Sequence, residues 1–172
     1  MEARGRPGGV NLGLQRIDVS IWWQGKSGGC VKDVKKMIRT MLRYEDPPAI
    51  FILHIGGNDI GLIKGKELIT QLIHLFHYIQ QSMPSTMLVW SQILPRLAWR
   101  YSDNGDAMEK IRNRVNTAVA SYLTKSKGCY IRYPDIKANS KMLLKDGVHL
   151  TTVGNNVFLN TLQGGLNKSL EI

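Results

Sequence analysis

The stretch FILHIGGNDIG, residues 51–61, opens as an apolar run and closes on two glycines, an amide and a carboxylate. Its first half, with residues 49–50 in front, reads as a buried strand interrupted only by His54, and Gly56-Gly57-Asn58-Asp59 reads as a turn presenting polar side chains at the strand's end. On both sides the hydrophobic period becomes helical. Upstream, Val31, Val34, Met37, Ile38, Met41 and Leu42 share one face of a helix that Pro47-Pro48 ends; downstream, Leu68, Ile69, Leu72, Ile73, Phe76 and Ile79 mark a second amphipathic helix.

The alternation continues outward. Residues 17–23, IDVSIWW, are β-branched and aromatic and read as a first strand, followed by the turn-forming QGKSGG at 24–29. Residues 87–93 form another expected strand, 94–106 a long loop, and Asp103 or Asn104 can cap a third helix carrying Met108, Ile111, Val115, Ala118, Val119 and Tyr122. A short strand is expected at 129–133, then a last helix capped by Thr151 or Thr152, with Val153, Val157, Phe158 and Leu162 inward. Strands and helices that alternate in this way specify an α/β sandwich with a mostly parallel sheet, because parallel neighbours require a crossover and a helix supplies it. Residues 1–16, rich in Gly and Arg and without periodicity, read as an irregular segment in front of one domain, 17–172.

Composition narrows the classes. The chain has 172 residues, 43% hydrophobic and 21% charged, as expected for one globular domain with a real core. Two cysteines, Cys30 and Cys129, make neither a disulfide framework nor a zinc site, and no apolar run follows Met1 that resembles a secretion signal. A reducing, intracellular setting, the cytoplasm by default, is the expectation, and no run approaches the length of a membrane span. The 23 Lys and Arg against 13 Asp and Glu give a net charge of +10, concentrated before residue 44. Such a balance describes a solvated basic face or a surface for nucleic acid or acidic partners.

Ligands of open α/β sheets bind at the carboxyl ends of the strands. There lie the Gly28-Gly29 turn, Asn58, the 94–104 loop, and KDGVHLTTVG at 145–154. An amide held rigidly at a strand end can donate to a developing oxyanion, and a glycine beside it lets a backbone N–H approach the same oxygen. Asp146 and His149 stand three apart around Gly147; a carboxylate on one imidazole nitrogen fixes the tautomer and leaves the other to act as general base. Either motif alone is a common chance pattern. Their order, each after an expected strand, gives them weight.

On these residues the chain resembles the SGNH (GDSL-type) hydrolases, and it is also similar to SGNH-like domains carried in vertebrate genomes, some by retroelements. The resemblance covers residues 17–166. It implies a flavodoxin-like, three-layer α/β/α fold and hydrolysis of carboxylic esters, acyl or acetyl, on small or acylated substrates without metal or cofactor. It also implies His149 as base, Asp146 as its orienter, and Asn58 with Gly28, or Gly29 as a close competitor, as the oxyanion hole. The nucleophile is not identified: no Gly-Asp-Ser-like motif stands upstream of Gly28, and the family's first strand has no counterpart in residues 1–15. The chain thus reads as an SGNH domain cut short at its N-terminus, in which strands 17–23 and 50–55 are expected to pair directly, with residues 9–15 as the other candidate to fill the gap. The alternative function is a non-catalytic relic or basic binding module.

Among other candidates, Ser27 is the one serine near the expected site, while Ser20 and Ser91 lie within strands. His54 is expected to pack, His74 and His77 to lie on a helix surface without a third metal ligand, and Arg96 and Arg100 to sit in a solvated loop from which they could hold an anionic substrate.

Overall fold

A computed structural model describes residues 12, 14, 19–126 and 128–169. Their elements run α1 (Val31–Met41), β1 (Ile50–Leu53), α2 (Gly65–Ser82), β2 (Met87–Ser91), α3 (Gly105–Lys125), β3 (Cys129–Ile131) and α4 (Thr152–Ser169). The three strands are parallel in the order β1-β2-β3, with Ile50 opposite Met87 and Val89 opposite Cys129. The α/β architecture read from the alternation is the one observed.

The period-two alternation of β2 assigns the layers. Leu88 and Trp90 face one core with Val31, Val34 and Ile38 of α1, Phe76 and Ile79 of α2, and Val115 and Val119 of α3. Val89 faces the other core, with Leu12, Ile131, and Phe158, Leu159 and Leu162 of α4. Phe76 and Phe158 are almost wholly buried, and each such side chain is worth about 1.5–3 kcal/mol of transfer free energy. Helices therefore cover both faces of the sheet.

Local signals set the ends of the elements. Asn104 rather than Asp103 caps α3, its Oδ1 accepting the Ala107 N–H at 3.0 Å, and Thr151 Oγ1 accepts the Gly154 N–H at 3.1 Å at the start of α4. The amide of Asn116, on the buried side of α3, pairs with both the N–H and the carbonyl of Ile93, each at 2.9 Å. This clamp fixes where the chain leaves β2.

The expected first strand, 17–23, is described only in part. Residues 17 and 18 lie outside the described set, and among the described residues β1 is the terminal strand of the sheet. The expected direct pairing of 17–23 with 50–55 thus falls partly outside the described residues. The alternating character of IWW is kept: Ile21 and Trp23 pack against the α4-side core while Trp22 points outward. Alternate side chains turned inward fit the pattern that reads as a strand. Of residues 9–15, only Leu12 and Leu14 are described; both are buried.

Candidate active site at the carboxyl ends of the strands

The chain after β1 turns at Gly56, whose φ of +99° belongs to glycine, and Asp59 N–H bonds back to the Gly56 carbonyl at 3.1 Å. The tight turn sends Asn58 and Asp59 in different directions. Asp59 is 3% exposed and reaches the start of α1, where its two carboxylate oxygens accept the Val31 N–H at 3.3 and 3.2 Å. It supplies, from a distant loop, the acceptor that a helix N-terminus lacks. Desolvation raises its pKa despite that bond.

Asn58 joins three segments. Its Nδ2 donates to the Gly29 carbonyl at 3.0 Å, and its Oδ1 accepts from Nη1 and Nη2 of Arg96, both at 3.3 Å. These partners fix which end of the amide is which, and they leave the second Nδ2 hydrogen unspent on them. Arg96 is half-buried and lies 5.5 Å from the Trp99 ring. A Cβ on Gly57 would stand 2.5 Å from Arg96 Nη2, so the second glycine of GGND clears the seat of the guanidinium.

A pocket opens over this arrangement, lined by Gly29, His54, Gly57, Asn58, Arg96 and Val148 among others. His54 Nδ1 lies 2.9 Å from Ser91 Oγ, which is 2.6 Å from the Tyr133 hydroxyl, and the ring meets Phe158 edge-on. His54 itself is exposed at the opening and does not pack as the sequence suggests. Ser91 is fully buried in this chain of hydrogen bonds and does not line the pocket.

The fourth contributor is the turn 146–149. Gly147 adopts φ +71°, and its carbonyl accepts the N–H groups of Leu97 and Ala98 at 2.8 and 3.3 Å, which ties the turn to the loop after β2. Asp146 Oδ1 accepts the N–H groups of Val148 and His149, each at 2.9 Å, and Oδ2 meets His149 Nδ1 at 2.7 Å. Those two backbone N–H groups, with the imidazole next, draw the Asp146 pKa down to about 2. Val148 lines the pocket and the His149 side chain, 76% accessible, stands outside that lining.

The structure therefore brings Asn58 to the same opening as the Asp146–His149 turn. Gly28 is exposed at φ +64° and does not line the pocket; Gly29 does, but its N–H is bonded to the Lys26 carbonyl at 3.1 Å. Ser27 and Ser20 are exposed, and among the described residues no serine lines the pocket. His77 Nε2 lies 3.0 Å from the Tyr122 hydroxyl. Arg100 is exposed, as expected, but Arg96 is not the solvated loop residue the sequence suggests. Its signal was the doubled glycine beside Asn58, which makes room for a large neighbour.

The fold and this opening define an α/β protein with a polar pocket at the carboxyl ends of its strands. A family model described as GDSL-like lipase/acylhydrolase matches residues 3–162, and the chain belongs to that family. No curated protein matches the sequence. Solved structures with the same fold include a GDSL-like lipase from Bacteroides thetaiotaomicron, 17% identical over 85% of this chain and 75% of that one, TM-score 0.67. A family 3 carbohydrate esterase of Clostridium thermocellum is 20% identical over 92% and 83%, TM-score 0.68. A psychrotrophic esterase from Pseudoalteromonas sp., inhibited by monoethylphosphonate, is 17% identical over 84% and 75%, TM-score 0.61. No helix among the described residues is long and apolar enough to cross a membrane.

Proposed function

We propose that this domain carries the base and part of the oxyanion hole of an acyl or acetyl ester hydrolase, and that its nucleophilic serine comes from none of the described pocket residues. The observation that carries this reading is the Asp146–His149 pair at 2.7 Å in a turn whose Val148 lines the same pocket as Asn58. Asp146 accepts a hydrogen bond from Nδ1–H, so Nε2 presents its lone pair and can take the proton of an attacking hydroxyl. As that hydroxyl oxygen bonds the ester carbon, the carbonyl oxygen becomes anionic, and the remaining Asn58 Nδ2 hydrogen donates to it. His149 then returns the proton to the leaving alcohol. Water repeats the sequence to release the acid. The backbone donor belongs to the Gly28-Gly29 turn. Residues 17–172 form the hydrolase domain, and the substrate is a small ester or an acylated molecule.

The present chain should not hydrolyse short p-nitrophenyl esters above background, since no serine among the described residues lines the pocket. Placing in front of it a strand that ends in Gly-Asp-Ser should create activity, and His149→Ala should remove it. An extended protein that folds, gains stability and stays inactive, with His149→Ala behaving identically, would overturn the roles given to Asp146, His149 and Asn58. Labelling of the unextended chain by a fluorophosphonate would overturn the account of the nucleophile.

The second reading is a binding module without turnover, which the polar donors of the lining, Lys26, Asn58 and Arg96, favour. If its basic surface serves nucleic acid, affinity for an oligonucleotide should fall steeply with salt. No binding at low salt removes that partner.

A further inference from the structure

Arg96 is the strongest unexplained group in the pocket. Its guanidinium is half-buried, and desolvation lowers its pKa. Yet it belongs to none of the ion pairs among the described residues, which join Lys26 to Asp33, Arg112 to Glu109 and His149 to Asp146. The other cation at the opening, Lys26, is thus already neutralised, at 2.6 Å, and Asp59 is spent on the α1 terminus. Removing an ion from water costs several kcal/mol unless a counter-charge and hydrogen bonds replace the water. Here the replacements are one amide oxygen, at the long distance of 3.3 Å from both terminal nitrogens, and an aromatic face.

The seat is nevertheless built. Gly57 clears space that any Cβ would occupy, Asn58 orients the fork, and Trp99 flanks it. A guanidinium has five N–H donors in a plane, and its best complement is a carboxylate, which offers two oxygens at matching separation. We propose that the pocket between β1 and β2 takes a small carboxylate, received by the Arg96 guanidinium beside the Asn58 amide. Such a ligand supplies the missing counter-charge without displacing the amide, because Asn58 Oδ1 occupies only one edge of the donor set. Two sources share this chemistry: the acid released by ester cleavage, or a second carboxylate on the acyl half of the substrate. In naming the acyl side as the charged side, the inference rests on the ester-hydrolase reading; carboxylate binding itself does not.

The test is a titration of the full chain, followed by ¹⁵N amide signals, with acetate, succinate and acetamide, each against sodium chloride at equal ionic strength. Saturable shifts at Gly29, Gly57 and the Asn58 side-chain amide are expected with acetate or succinate and not with acetamide. Comparable affinity for acetate and succinate assigns the site to the released acid; response to succinate alone assigns it to a second carboxylate. Arg96→Gln should weaken binding about tenfold or more, and Arg96→Lys, which keeps the charge and loses the fork, by a smaller factor. Both variants are compared by urea midpoint, and if the first fails to fold the second carries the test. Shifts that match those of acetamide or chloride, or that survive unchanged in Arg96→Lys, overturn the proposal. Carboxylate binding with no hydrolysis by the serine-extended chain removes the esterase reading and leaves this site. Hydrolysis without carboxylate binding does the reverse.

Discussion

Two turns built on a glycine and an aspartate meet at this site, and their carboxylates behave in opposite ways. Asp146 satisfies itself within four residues: two backbone N–H groups and one imidazole, all in the turn, hold it ionised with its pKa near 2. Asp59 reaches a helix that begins 28 residues earlier, is almost fully buried, and is pushed up by desolvation. The first aspartate aims a side chain, and the second fastens one segment of the fold to another. A carboxylate's role thus follows from where its acceptors are spent, locally or across the molecule.

The largest expected effect breaks the long-range turn. Asp59→Ala leaves the Val31 N–H buried without its acceptor and should cost about 2–3 kcal/mol. Asp59→Asn, which keeps an acceptor and removes the buried charge, should cost far less. Urea unfolding measures both; equal losses would mean the charge, not the hydrogen bond, fastens α1.

The glycines of the two turns give the next contrast. Gly147→Ala forces a Cβ to 2.9 Å from the Ala98 backbone nitrogen at a φ of +71°, and neither neighbour can swing away. A loss of about 1–3 kcal/mol is expected. Gly57→Ala meets only the end of the Arg96 side chain, which can move. Its stability should change by less than about 1 kcal/mol, while carboxylate binding falls with the displaced guanidinium. A Gly57→Ala protein that binds acetate normally would show that Arg96 has a second seat.

The smallest effect is a pair of opposed pH slopes. Asp146, with a folded pKa of about 2 against an ordinary 3.8, contributes stability that is present above pH 3.8 and lost as pH falls toward 2. Asp59, with its pKa raised, contributes in the other sense: the fold favours its protonated form, so its share is full below pH 3.8 and lost as pH rises through the raised value. Unfolding midpoints across this range should lose their lower slope in Asp146→Asn and their upper slope in Asp59→Asn. Slopes untouched by either substitution would place the titration elsewhere.

The sequence by itself determined the α/β alternation and the helix limits, because periods of two and of about 3.6 residues and end-capping residues are local chemistry. It also determined the Asp146–His149 pair, whose partners sit three residues apart in a turn that Gly147 permits. The reading of 17–23 as a strand rests on alternation, which reports which side chains turn inward: Ile21 and Trp23 are half-buried against the α4-side core while Trp22 is exposed. Only the tertiary structure decided the meaning of GGND. Asp59 meets α1, Gly57 makes way for Arg96, and Asn58 is held between Gly29 and Arg96, 29 residues before it and 38 after. Those contacts follow from how helices cover both faces of the sheet and bring its strand ends together, and no window of neighbouring residues contains that geometry.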